Sequence, residues 1–440
     1  MTKFRRLRGM RDYLPKDMAK LNYVKNVIRE LFKLFGYKEV MTPTLESFDL
    51  LAAKSGEEIR QRMYVFKDLA GRKVALRPEM TAPIARFYIN NLRGYAKPIR
   101  LGYIANCFRY DEPQYARYRE FWQGGFELIG SKAPEADAEI LEIADFLMKK
   151  LGFKDYYLKI GHVGVMRAFL QAEGINESEQ NIAFGLMDKG KLQDALEFLS
   201  KLGVSGKCIN IITELFKLKG KNIDGLLVNA KSLLKDYNEA KIQLQNLSEI
   251  IDCLKACKIN NILLDFSFAR GLEYYTGMIF EIFASNFKVA LGGGGRYDKL
   301  IELFGGESIP AVGFSPGLDR IVLAMTELDI PFKFKKEIKA FIIPTSNDMK
   351  LKAIEIAHRL REEDIPVELE VMGRSLKRAL SYANSQNFTF AIIIGPKEIA
   401  EEKISLKDLE LNKQYKVALE EAINIIKDKI KRAESNEDYS

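Results

Sequence analysis

Two histidines and four cysteines among 440 residues leave little material for a metal centre or for histidine-based nucleophilic catalysis. The cysteines, Cys107, Cys208, Cys253 and Cys257, are scattered without metal-ligand spacing. Cys253 and Cys257, four apart in helical sequence, make only a weak metal signal, so the expectation is reduced, buried thiols and no metal site. His162 and His358 alone supply a Ser-His-Asp triad poorly. No run of about 18 uncharged apolar residues occurs, which argues against a membrane span. The basic opening, Met1 to Arg8, is followed by no apolar signal-peptide core, and a cytoplasmic location is expected. The chemistry must then rest on Arg, Glu, Gln and Tyr.

What is present is the balance of a globular protein, 47% apolar and 29% charged. The length predicts two or three domains. A net charge of +8 permits a polyanionic partner without requiring one. The segment from residue 337 onward is near neutral, so the positive excess lies before it.

Hydrophobic periodicity sets the expected elements. Leu21, Val24, Ile28, Leu31 and Phe35 share one face of a predicted helix over 17–35, with Asp17 as cap and Gly36 as stop. A strand is expected over 37–42, ending at Pro43. Residues 99–129 read as two alternating strands around a polar loop, and 140–151 as a helix. From 165 to 258 the pattern predicts a helical insert. Strands are expected around 263–266, 275–283 and 287–291, and residues 310–326 read as a strand running into a helix. After a linker-like stretch at 331–336, strands at 340–343, 366–371 and 390–394 alternate with helices at 348–361 and 376–385, the order of a small α/β domain.

The hairpin at 99–129 is the most informative segment. Successive side chains on a strand point to opposite faces. Trp122, Phe126 and Leu128 fall on one face, which reads as core. Arg119, Gln123 and Glu127 fall on the other with Phe121, which reads as a binding face. The loop between the strands is dense in arginine and tyrosine, suited to phosphate oxygens and base stacking. Gly124 and Gly125 are expected to clear room for a ligand. The run Gly292 to Gly295 lacks the spacing of a dinucleotide or P-loop motif and is expected to form a tight strand-to-loop turn.

The phrases Cys107-Phe108-Arg109-Tyr110 and Arg117-Tyr118-Arg119-Glu120-Phe121 resemble motif 2 of the class II aminoacyl-tRNA synthetases. Ala311 to Arg320 (AVGFSPGLDR) resembles their motif 3. Ala269-Arg270-Gly271-Leu272-Glu273-Tyr274-Tyr275, Gly294-Gly295-Arg296-Tyr297-Asp298 and the opening Gly9 to Pro15 (GMRDYLP) resemble the histidyl-tRNA synthetase family in particular. The resemblance implies an α+β fold, an antiparallel catalytic sheet flanked by helices, with a helical insertion and a C-terminal α/β anticodon-binding domain. It implies catalytic segments at 1–164 and 259–330, the insertion at 165–258, a linker at 331–337, the anticodon-binding domain at 338–432 and a tail at 433–440. A homodimer is implied, with the 17–35 helix and Pro43 near its interface.

Site residues follow from the same resemblance. Arg270 and Arg109 would be catalytic, holding the α-phosphate as negative charge gathers on phosphorus. Arg109, Arg117, Phe121 and Arg320 would bind ATP, with Phe121 on adenine and Arg320, left free by its helix's core stripe, facing the γ-phosphate. Glu79, Thr81 and Gln123 would hold the α-amino group of histidine. Glu127 and Tyr275, beside Tyr274 and Arg270, would take its imidazole and carboxylate. Gln114 would touch the acceptor end of tRNA(His). The expected cofactors are ATP as substrate and Mg2+ bound with its phosphates. Two departures from the family pattern stand out, Glu273 where Asp is usual and Glu112 where Arg is common. The alternative reading is a synthetase-like regulatory subunit of ATP phosphoribosyltransferase. Arg270 and the C-terminal segment count against it, as such paralogues usually lack both.

Overall fold

A computed structural model describes residues 4–53, 57–268, 274–334 and 336–435. The chain divides into two compact units, Met1–Phe332 and Lys333–Ser440. The strands of the first unit are β1 (Lys38–Glu39), β2 (Leu45–Ser47), β3 (Val65–Lys67), β4 (Lys73–Leu76), β5 (Ile99–Phe108), β6 (Glu120–Ile129), β7 (Tyr156–His162), β8 (Lys219–Gly220), β9 (Ile262–Asp265), β10 (Met278–Ala284), β11 (Gly292–Arg296) and β12 (Ala311–Pro316). Those of the second are β13 (Ala340–Pro344), β14 (Val367–Leu369), β15 (Phe390–Ile394), β16 (Ile404–Asp408) and β17 (Lys413–Val417).

Nine strands form the main sheet in the order β1-β5-β6-β12-β11-β10-β7-β9-β8. Its centre, from β5 through β7, is antiparallel throughout. Among the described residues, parallel pairs in this sheet occur only where β1 joins β5 and β9 joins β7. This is the antiparallel sheet flanked by helices that the resemblance implies, and it excludes a parallel dinucleotide-binding sheet. A small sheet, β2-β4-β3, stands apart from it.

The sheet's two faces differ as the alternation in β6 predicts. Phe126 and Leu128 sit in the larger core with the Pro15–Phe35 and Pro134–Leu151 helices. Phe126 meets Phe32 at 4.9 Å and Tyr37 at 5.3 Å between ring centroids, both edge-on. Such pairs contribute about 0.5–1.5 kcal/mol each beyond the area they bury. The first helix begins at Pro15, earlier than periodicity suggests, and Asp17 accepts the Leu14 N–H at 3.2 Å from inside its first turn. Gly36 ends it in the left-handed region, φ 74°.

Three expectations fail here for physical reasons. Residues 287–291 are not a strand but the turn-and-bend connection between β10 and β11. The glycine run is itself β11, paired on both sides, because its bare backbones allow unusually close approach. A Cβ on Gly294 would lie 2.0 Å from the carbonyl oxygen of Gly313 on β12. The expected strand at 37–42 shrinks to the two residues of β1. Residues 163–256 are mainly helical, running from the Val163–Ala172 helix to the Asn238–Ala256 helix, with the short β8 added to the sheet edge against β9.

In the second unit β14, β13 and β15 run parallel, and β16 and β17 extend the sheet antiparallel. The Lys350–Glu362 helix and residues Ala422, Ile423 and Ile426 cover one face. Ala379 and Ala383 of the Leu376–Ser385 helix cover the other. The result is a three-layer α/β unit with a core on each side of its sheet.

Candidate active site

The main cleft, about 1050 Å³ of non-protein space open to solvent, lies on the other face of the antiparallel sheet. Its floor is β6, β11 and β12, and its walls come from the β5–β6 loop, the start of the Thr81–Asn91 helix and the start of the Leu318–Glu327 helix. Phe121 and Glu127 both face it from β6. Six residues of extended chain separate them by roughly 20 Å. The cleft is therefore long, and its chemistry differs along its length.

Around Glu127 the cleft is acidic and phenolic. Glu127 is 1% exposed. One carboxylate oxygen accepts from Thr81 Oγ1 at 3.2 Å and from the Tyr103 hydroxyl at 3.5 Å. The other accepts from the Tyr297 hydroxyl. Burial pushes the Glu127 carboxyl up to about 8; the Tyr297 hydrogen bond opposes this, and the nearby charge of Glu79 adds to it. Gly313 makes the position possible, since a Cβ there would lie 1.8 Å from Glu127 Oε2. Glu79 is also buried, and burial raises its pKa. Its oxygens accept the backbone N–H groups of Thr81 (2.6 Å) and Ala82 (3.0 Å), so it caps the helix that begins there. Gln123 Oε1 accepts from the Cys107 thiol at 3.2 Å. Burial pushes that thiol up to about 12, leaving it an uncharged donor.

Toward the β5–β6 loop the lining turns basic. Arg109, Arg117 and Arg320 border the cleft beside Phe121. Arg109 Nε donates to the Pro78 carbonyl at 2.8 Å, and its guanidinium lies 5.2 Å from the Phe121 ring centroid. Arg320, while lining the cleft, donates to the carbonyls of Ala116 (3.3 Å) and Ala290 (3.0 Å). The opening phrase braces this end. Tyr13 donates to Asp319 Oδ1 at 2.8 Å, Arg11 pairs with the same carboxylate, and Asp319 Oδ2 accepts the Trp122 N–H at 2.6 Å. Arg11 also lies 3.8 Å from the Tyr118 ring centroid.

Of the residues expected in the site, Glu79, Thr81, Arg109, Arg117, Phe121, Gln123, Glu127, Tyr274, Tyr275 and Arg320 line this one cleft. Gln114 is exposed at the loop, outside the lining, where it bridges to Arg117. Arg270 and Glu273 lie outside the described residues. Gly124 and Gly125 clear room for the protein's own side chains, not for a ligand. A Cβ on Gly125 would sit 1.9 Å from the Tyr103 ring, and one on Gly124 would sit 2.7 Å from Ile28. Trp122, expected in the core, packs against it and also borders the cleft, under the Lys25 ammonium at 3.3 Å. Alternation along a single strand could not find Tyr103, Tyr297 and Gly313, whose approach to Glu127 depends on the register of β5, β11 and β12. The phrase carrying Tyr297 was visible, but not what its hydroxyl touches. Its neighbour Arg296 is structural, a buried partner of Asp137 with Nε 3.0 Å from the carboxylate.

A cleft on an antiparallel sheet, with a separate α/β unit in the same chain, is the arrangement that the resemblance to class II aminoacyl-tRNA synthetases implies, and comparison with known proteins narrows it. The histidyl-tRNA synthetase family model matches residues 9–321, and the anticodon binding domain model matches residues 339–429. A histidine–tRNA ligase from Methanocaldococcus jannaschii is 45% identical over 96% of this chain and 99% of its own. The solved histidyl-tRNA synthetase of S. aureus superposes with a TM-score of 0.71 at 26% identity, covering 96% of this chain and 99% of its own. A Bacillus halodurans structure described as an ATP phosphoribosyltransferase regulatory subunit/histidyl-tRNA synthetase gives 0.74 at 27% identity, covering 90% of this chain and 99% of its own. The chain belongs to the histidyl-tRNA synthetase family.

Proposed function

We propose that this protein is a histidine–tRNA ligase that activates histidine with ATP and transfers it to the 3′ end of tRNA(His). The observation that carries the substrate choice is the pair of buried carboxylates, Glu79 and Glu127, in one cleft. Two buried acids penalise each other's charge, and a ligand carrying an ammonium group and a basic ring relieves both. Glu127, with Tyr275 nearby, takes the imidazole; Glu79, Thr81 and Gln123 take the α-amino group. Hydrogen-bonded pockets of this kind reject isosteres that cannot pair.

In the first step a carboxylate oxygen of histidine attacks the α-phosphorus of ATP. The bond to the β-phosphate bridging oxygen breaks, giving histidyl-adenylate and pyrophosphate. Arg109 and Arg270 offset the charge that gathers on the α-phosphoryl oxygens, Phe121 stacks on adenine, and Arg117 and Arg320 border the outer phosphates. A ribose hydroxyl of the terminal tRNA nucleotide then attacks the histidyl carbonyl and AMP leaves. Magnesium would come bound to the ATP phosphates and neutralise part of their charge. Among the described residues no group of three or more His, Cys, Asp or Glu is placed to hold a metal ion. Gln114 meets the acceptor end, and the unit matching the anticodon binding domain meets the other end of the tRNA. A homodimer acting in the cytoplasm completes the reading. No described helix is long and apolar enough to cross a membrane. The regulatory-subunit alternative is disfavoured because residues 339–429 match an anticodon binding domain.

Replacing Glu127 by Ala tests the assignment. The Michaelis constant for histidine should rise at least about a hundredfold while that for ATP changes little, the pattern of a lost substrate contact. Equal effects on both substrates in pyrophosphate exchange would refute the role given to Glu127.

A further inference from the structure

Behind the tyrosine wall of the main cleft lies a second cavity, with about 1470 Å³ of non-protein space open to solvent. Tyr274 and Tyr275 line both spaces, so these two residues are the partition between them. Their rings sit 4.9 Å apart, and Tyr274 lies 6.0 Å from Tyr297, the phenol that donates to Glu127. The wall is thus continuous with the buried acid of the amino-acid pocket.

Arg167, on the Val163–Ala172 helix, grips this wall from the second cavity. Its Nε donates to the backbone carbonyl of Tyr275 at 3.2 Å. Its remaining arms reach the Glu177–Asp188 helix, Nη2 to Asn181 Oδ1 at 3.0 Å and Nη1 to Gln180 Oε1 at 3.4 Å. The guanidinium also lies 5.0 Å from the Phe184 ring centroid. Gln180 is 4% exposed and is itself held, donating to the carbonyls of Ile175 (2.9 Å) and Arg167 (3.4 Å). A planar fork oriented by fixed acceptors on one helix has little freedom left, so it transmits position to the third acceptor, the Tyr275 carbonyl.

We infer that Arg167 is a positioning residue for amino-acid recognition: it ties the helices at 163–188 to the Tyr274–Tyr275 wall and so sets the affinity for histidine without touching it. The inference rests on the proposal that the cleft binds histidine. It predicts a selective defect, because displacing a pocket wall by a fraction of an ångström weakens the ligand held against that wall and leaves one bound at the other end unaffected.

The test is histidine-dependent ATP–pyrophosphate exchange with the full-length protein and the variants Arg167→Ala, Arg167→Lys and Asn181→Ala, each also followed by thermal melting. For Arg167→Ala the Michaelis constant for histidine should rise roughly tenfold with that for ATP within about twofold. Lys keeps the charge but not the fork, and should restore only part of the loss. Asn181→Ala removes one orienting acceptor and should shift the histidine constant the same way by less. If Arg167→Ala does not fold, Asn181→Ala decides, and an unchanged histidine constant there overturns the inference. Parallel shifts for histidine and ATP in a folded variant would also overturn it. No histidine exchange by the unaltered protein would remove the reading of the cleft itself. Normal exchange by the unaltered protein with no selective change in the variants would overturn this inference alone.

Discussion

Glu127 carries the sharpest consequence at the scale of single residues. Its carboxyl titrates near 8 when folded against about 4.5 when exposed, chiefly through burial. A pKa raised by folding means the native state holds the proton more tightly. This group's contribution to stability is therefore complete below about pH 4.5 and is lost as pH rises through about 8. With no ligand bound, the unaltered protein should show a falling melting temperature across that window, and Glu127→Gln, which cannot titrate, should flatten the slope. An identical slope in both proteins would show that Glu127 is not the buried acid responsible. The placement of this residue in the cleft was legible beforehand, since alternation along β6 alone puts Gln123 and Glu127 on the face opposite Phe126. Its partners were not legible, because Tyr103, Tyr297 and Thr81 come from elements 24, 170 and 46 residues away in sequence.

At the scale of elements, glycines decide how the sheet closes around the site. Gly125 on β6 stands directly opposite Tyr103 on β5, a bare position facing a large ring. Gly125→Ala would drive a methyl group into that ring, and buried overpacking of this kind costs about 1–3 kcal/mol. Denaturant unfolding should register that loss, together with weaker histidine binding as the Tyr103 hydroxyl moves off Glu127. Unchanged stability would mean that the ring has room to turn aside. From sequence the glycines suggested space for a ligand, and the run at 292–295 suggested a turn. Both readings took a missing side chain as local freedom, whereas the structure uses it to bring strands and rings together. The periodic helices and strands were more readily foreseen. The Leu376–Ser385 helix and the Phe390–Ile394 strand fall at their expected bounds, because their apolar spacing is complete within the segment itself.

At the scale of the whole molecule, the proposed function assigns adenylate chemistry to the first unit and tRNA reading to the second. Among the described residues, every one lining the cleft lies in Met1–Phe332, which has its own cores, and Lys333–Ser440 has two of its own. A chain ending at residue 332 should therefore still exchange pyrophosphate with histidine while losing most of its charging of tRNA. Loss of exchange in a folded truncated chain would show that the second unit supports the cleft. The measurement that bears most directly on the central claim is ATP–pyrophosphate exchange by the purified full-length protein with each of the twenty amino acids, without tRNA. The account predicts exchange with histidine alone. Exchange with another amino acid, or with none from folded protein, would contradict it.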